Sequence, residues 1–263
     1  MKKVVVVDMD GTLLNAKGHV GEKTKELFLR LSHEGTMVVL ASGRPWRAME
    51  PYYKMLGCYG PVICYNGALV FNPSDASFPA ISRKFKASIL REIYAKTASI
   101  STSFMAEDLE NIYVSRVDNH LKKYFWYEGM NLHVGDIEGK LNNDTYTALF
   151  RTVHSKDKAL EEIIAAYEGI ELRHWTHSFY SELALEGVDK GSALRHVMSA
   201  LHLEKEDVIA FGDAENDFSM LEEAGMGFAM KGCKSQRLRD HFPSTKKGNA
   251  QDGVALTLLD LLY

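Results

Sequence analysis

Only three cysteines, Cys58, Cys64 and Cys233, occur in 263 residues, and no Cys-x-x-Cys pair is present. An odd, dispersed set argues against a disulfide framework and fits a reduced, cytoplasmic setting. Charge of one sign is also missing. Lys and Arg number 31 against 35 Asp and Glu, for a net −4, and both signs are scattered. No basic block marks a nucleic-acid surface. An anionic substrate therefore requires a local device such as a metal ion. Long apolar runs are absent, since no stretch nears the roughly 20 residues of a membrane span. The valines from Val4 to Val7 follow Met1-Lys2-Lys3 but stop at Asp8, too soon for a signal peptide. Internal repeats and low-complexity segments are lacking as well. The length suits one large or two smaller domains, and 46% apolar residues suffice for a sizeable core.

Val4 to Val7 is continuous and β-branched and is followed by Gly11, the pattern of a strand buried on both faces. A helix is expected over about Glu22 to Glu34, with Leu27, Phe28 and Leu31 on one side and Gly35 as its stop. A second buried strand covers Met37 to Ala41, Pro45 opens a helix, and Pro61 to Tyr65 is a third strand. Asn66-Gly67 between two apolar runs signals a hairpin. From about Lys84 to Glu186 the character changes. Segments such as 110–117 and 146–153 alternate apolar and polar residues, which predicts antiparallel strands with one wet face. A helix over Lys156 to Tyr167 lies among them. After Gly187 the first style returns. Helices are expected over Gly191 to Leu201, Asp217 to Ala224 and Gln251 to Leu262, with a strand ending at Gly212. The expected organisation is a discontinuous α/β core, 1–82 plus 188–263, with an inserted α+β module at 83–187.

Candidate chemistry gathers at the strand ends of the core. Asp8 and Asp10 are two apart on an extended segment and so point the same way. They lie where open α/β sheets bind ligands. Such carboxylates repel unless a hard cation such as Mg²⁺ lies between them. A lone Asp-x-Asp is equally ordinary turn chemistry. Ser42 and Gly43 precede a helix and offer a hydroxyl and backbone N–H groups to an anion, although Ser42 serves equally as a helix cap. Asp213 could complete a metal site, and Asn216 could donate its amide to phosphate. Lys190 could supply a positive charge, where a surface lysine is the bland alternative. Turn and cap roles suit the first two just as well. Arg44 could reach a polar group of the substrate or pair at the surface. His174 and His177 read as surface or core residues, and Trp126, Tyr127 and Trp175 as core of the inserted module, with a site-facing platform as the alternative for one of the aromatics.

Taken together, the set resembles the haloacid dehalogenase superfamily over the whole chain. Asp8-Met9-Asp10-Gly11-Thr12-Leu13 matches its first motif, Ala41-Ser42-Gly43-Arg44 its second, Lys190 its third and Gly212 to Asp217 its fourth. The insertion resembles the α+β cap of subclass IIB, the Cof-type phosphatases. The ending from Gly248 to Ala255 is similar to the family's usual one. The resemblance implies a Rossmann-like parallel-sheet core and Mg²⁺-dependent hydrolysis of small phosphorylated metabolites, with sugar phosphates the expected class and protein partners left open. It implies Asp8 as nucleophile and metal ligand. Asp10 would be the general acid/base, bound to the metal through its backbone carbonyl, and Asp213 the remaining metal ligand. Met9, Ser42, Gly43, Lys190 and Asn216 would hold the phosphate. Thr12, Arg44 and Asp217 would support them, Asp217 by orienting Lys190 or a metal-bound water. A phosphomutase of the same superfamily, or a signalling module phosphorylated on aspartate, is the alternative.

Overall fold

The computed structural model describes residues 4–175 and 178–263, so His177 lies outside the described residues. The chain divides into two compact units, Met1–Ile81 with Asp189–Tyr263, and Ser82–Val188.

The first unit begins with β1 (Val4–Asp8), α1 (Glu22–His33), β2 (Met37–Ala41), α2 (Trp46–Met55), β3 (Val62–Cys64), β4 (Leu69–Phe71) and β5 (Ile81–Ser82). The valines of β1 are buried on both faces, as in a central strand of a parallel sheet whose crossover helices cover it. Val4 to Val7 pair with Val208 to Phe211 on one side and with Met37 to Leu40 on the other. α1 buries Leu27, Phe28 and Leu31, as its 3.6-residue periodicity requires.

The second unit holds α3 (Ala87–Thr97), β6 (Ser103–Glu107), β7 (Asn111–Val114), α4 (Asn119–Tyr124), β8 (Asn131–Val134), α5 (Ile137–Lys140), β9 (Thr147–Arg151), α6 (Asp157–Ile164), β10 (Ile170–His174) and β11 (Tyr180–Leu185). Its six strands run in the order β10-β11-β9-β6-β7-β8. Neighbours are antiparallel except for the parallel pair β7 and β8. Leu90 and Ile93 of α3 and Leu160 and Ile164 of α6 close one face over Phe104, Phe150 and Leu183. The predicted wet face is not observed in the central strands, since β6 is buried throughout, as are 147–150 and 180–183, whereas the outer strands β8 and β10 are open to solvent. Polar residues on that face bond to one another instead. Thr147 Oγ1 donates to Glu182 Oε1 (3.3 Å) and Tyr180 Oη to Asp118 Oδ2 (2.7 Å). Alternation of type therefore does not report wetness here. His174 is structural, bonded to Ser181 (2.8 Å) and Glu161 (2.9 Å). Tyr127 is buried and Trp175 half-buried, but Trp126 is 40% exposed and is not core.

The chain then returns to the first unit with α7 (Lys190–Leu201), β12 (Val208–Gly212), α8 (Phe218–Glu223), β13 (Met226–Ala229), α9 (Gln236–His241) and α10 (Gly253–Leu262). The seven-stranded sheet has the order β13-β12-β1-β2-β3-β4-β5, parallel from β13 to β3. The chain moves outward one way through β2 and β3 and later the other way through β12 and β13. The order thus reverses between β1 and β12, opening a crevice at their carboxyl ends. The C-terminal motif closes this unit. Gly21 gives α1 no side-chain cap, and Asp252 serves instead, accepting from Thr24 N (3.0 Å) and Thr24 Oγ1 (2.7 Å). Asn249 Nδ2 donates to the Leu14 carbonyl (2.7 Å). Among the described residues no helix is long and apolar enough to cross a membrane, and all three cysteines are free and buried.

Candidate active site

Asp8 ends β1, Asp213 follows β12, and Asp217 ends the short turn before α8. One oxygen of each lies within 4.8 Å of the others. Lys190 is wholly buried rather than a surface residue. Asp189 caps α7 through Ser192 N (2.7 Å), which fixes Lys190 as the first helical residue. Its ammonium donates to Asp8 Oδ1 and Asp217 Oδ1, both at 2.6 Å. Asp217 Oδ2 accepts from Asp213 N (2.9 Å) and Ala214 N (3.0 Å). Both oxygens of Asp217 are thus engaged in fixing Lys190 and the Asp213 loop.

Three carboxylates against one ammonium leave two negative charges uncompensated in a buried crevice. Burial, followed by the Asp217 charge, pushes the Asp213 carboxyl up to about 7. Burial and Asp217 also raise Asp8 well above the ordinary carboxylate range, although Lys190 opposes them. Burial disfavours the Lys190 charge, but Asp217 and Asp8 outweigh it and hold the ammonium above its usual range. Asp8 Oδ2 is buried and has no hydrogen-bond partner. An orphaned carboxylate oxygen beside a second, proton-hungry carboxylate fits a hard divalent cation with oxygen ligands. Gly11 shapes the same crevice. Its φ is +84°, and a Cβ there would run into the Asp213 carboxylate. Thr12 Oγ1 donates to Asp213 Oδ1 (3.2 Å) and orients it.

The remaining candidates lie around this centre. The Asp10 carboxylate is outside the acidic cluster, because Arg44 Nε and Nη2 hold its two oxygens at 2.7 and 2.6 Å. Met9 is buried, and its carbonyl accepts from Leu14 N (2.8 Å), turning the chain sharply after β1. Ser42 does not cap α2, whose N-cap is Pro45. Its buried hydroxyl accepts from Arg44 N (3.2 Å) around Gly43. Asn216 is exposed and donates Nδ2 to Asn66 Oδ1 (2.9 Å). Asn66 was missed by sequence reasoning. Asn-Gly was legible as turn chemistry, but nothing local shows which residue 150 positions away its side chain meets.

The chain matches the haloacid dehalogenase-like hydrolase family over residues 5–258. It is 30% identical to 5-amino-6-(5-phospho-D-ribitylamino)uracil phosphatase YitU of Bacillus subtilis strain 168, covering 96% of this chain and 94% of that one. It is 25% identical to pyridoxal phosphate phosphatase YbhA of Escherichia coli K12, over 87% of each. A haloacid dehalogenase-like hydrolase from Bacteroides thetaiotaomicron superposes over 100% of both chains, at 25% identity and TM-score 0.86. The subclass IIB sugar phosphatase BT4131, 19% identical with TM-score 0.80 over 98% of each chain, shares the fold. Motif residues converging on one crevice, a match over nearly the full length and these relatives lead to one conclusion: the chain belongs to the haloacid dehalogenase-like hydrolase family.

Proposed function

We propose that the chain, a phosphoric monoester hydrolase by its family and its phosphatase relatives, releases phosphate from small sugar or polyol phosphates through an aspartyl-phosphate on Asp8. The unpartnered Asp8 Oδ2 carries this reading. It is the one site carboxylate oxygen that is buried and free of hydrogen bonds, while Lys190 holds its twin at 2.6 Å. A carboxylate so fixed is ready for in-line attack on phosphorus, and phosphoryl transfer chiefly needs positioning and charge neutralisation.

The Asp8 carboxylate attacks phosphorus, the bond to the ester oxygen breaks, and Asp10 delivers a proton to that oxygen. Asp10 then takes a proton from the water that attacks phosphorus and restores Asp8. Lys190 neutralises charge beside Asp8, while Ser42, Gly43, Asn216 and the Met9 backbone hold the phosphoryl oxygens. Mg²⁺, held by Asp8, Asp213 and the Asp10 carbonyl, would supply electrostatic stabilisation of the phosphoryl charge. Asp217 keeps Lys190 and the Asp213 loop in place. The 82–188 unit contributes none of these residues, so we assign it substrate selection. The sugar or polyol class is suggested by the phosphoribityl group in the name of YitU.

A panel of sugar and polyol phosphates, assayed for inorganic phosphate with and without chelator, tests the reading. Release that needs Mg²⁺ and vanishes in Asp8→Ala is expected. Undiminished release by Asp8→Ala, or isomerised phosphate esters in place of inorganic phosphate, would overturn it. The latter result would mark a mutase.

A further inference from the structure

The turn between β3 and β4 is more constrained than a hairpin requires. Tyr65, Asn66 and Gly67 have successive φ values of 49°, 53° and 105°. Glycine adopts positive φ freely and asparagine tolerates it in tight turns, but tyrosine does so only under strain. A bulky tyrosine is an outlier there. Such strain persists only where the surroundings over-determine the backbone.

The surroundings in this case are the proposed phosphate site. Tyr65 N donates to the Arg44 carbonyl (3.2 Å) and Asn66 N to the Ser42 carbonyl (3.0 Å), gripping the loop on both sides of Gly43. Gly67 lies against the Asp189 carbonyl, immediately before Lys190, where any Cβ would collide. Asn66 Oδ1 accepts from Asn216 Nδ2 at 2.9 Å. One three-residue turn therefore touches the segments bearing Ser42, Lys190 and Asn216. Asn66 is 9% exposed, whereas Asn216 is exposed. The bond thus anchors a solvent-facing amide to a buried partner.

We propose that Asn66 is a positioning residue for phosphate recognition. Its side-chain carbonyl holds one N–H of the Asn216 amide and leaves the second N–H for a phosphoryl oxygen. An exposed asparagine left to itself samples several rotamers, and fixing it in advance removes that ordering cost from binding. The inference rests on the assignment of Asn216 to the phosphate site.

The test separates contact from strain. Asn66→Gly deletes the carboxamide while keeping a residue that accepts positive φ. Asn66→Ala deletes it and adds backbone strain. Each is combined with Asn216→Ala, and the probe is inorganic phosphate as a competitive inhibitor of nitrophenyl phosphate hydrolysis. Asn66→Gly and Asn66→Ala are expected to weaken phosphate by the same factor, about fivefold for one lost hydrogen bond. The alanine variant alone should melt appreciably lower. The double variant with Asn216→Ala should bind phosphate no more weakly than Asn216→Ala does. If Asn216→Ala weakens phosphate but Asn66→Gly does not, or if the two effects add, Asn66 does not act through Asn216 and the proposal fails. If Asn216→Ala leaves phosphate binding unchanged, the assignment of Asn216 fails and takes the proposal with it.

Discussion

Arg44 holds both carboxylate oxygens of Asp10, through Nε at 2.7 Å and Nη2 at 2.6 Å. A planar guanidinium on both oxygens fixes the rotamer of the carboxylate as well as its distance. The Asp10 side chain is 40% exposed, so the pair is worth no more than about 1 kcal/mol to the fold. Its importance lies in aiming the proposed acid/base.

Arg44→Ala is accordingly expected to leave the melting temperature nearly unchanged and to slow alkyl phosphate turnover about 10- to 100-fold. That is part of the ~10²–10⁴-fold typical of general acid–base help. Nitrophenyl phosphate, whose leaving group needs little protonation, should lose less. Steady-state rates on the two ester types check this, and equal losses on both would contradict it.

The pH dependence of cation binding follows from the acidic cluster. The Asp213 carboxyl stands at about 7 in the folded chain against an ordinary value of 3.8. The metal-free fold therefore retains a proton that the unfolded chain releases, and its stability falls as pH rises through that window. Mg²⁺ must displace the proton. Its affinity should increase about tenfold per pH unit up to about 7 and then level off if Asp213 alone titrates. Asp8 is raised as well, so release of between one and two protons per cation is expected. Calorimetry in buffers of different ionisation enthalpy measures this number, and a pH-independent affinity with no proton release would contradict the account.

Much of this was legible in the sequence because it is local. Four valines before Asp8 define a doubly buried parallel strand, and the strand ends place Asp8, Ser42 and Asp213 in one crevice. What escaped depends on distant partners. Nothing near Lys190 announces that its ammonium will be wholly buried and bonded to Asp8 as well as to Asp217. Nothing near Asp10 reveals that Arg44, 34 residues on, will close on it. In the second unit, β6 and β9 alternate in residue type but not in exposure, because their polar side chains find buried partners such as Glu182.

The ending around Asn249 and Asp252 has a structural role that is open to test. Asp252 supplies the N-terminal cap that Gly21 cannot give to α1. Asp252→Ala should destabilise the protein by about 1 kcal/mol, the usual worth of a cap, with KM and kcat unchanged. Denaturant unfolding followed beside steady-state kinetics checks this, and altered catalysis at unchanged stability would assign Asp252 to the site instead.

The covalent role of Asp8 is tested most directly by trapping the phosphoenzyme. Asp10→Asn, mixed with nitrophenyl phosphate and Mg²⁺ and quenched in acid, should accumulate phosphate on the peptide that carries Asp8, because formation needs little acid help while hydrolysis needs the base. The adduct should be acid-stable, released by hydroxylamine, and absent when Asp8→Asn is treated in the same way. Turnover by Asp8→Asn, together with no trapped phosphate in Asp10→Asn, would contradict the account and leave direct attack by water as the reaction.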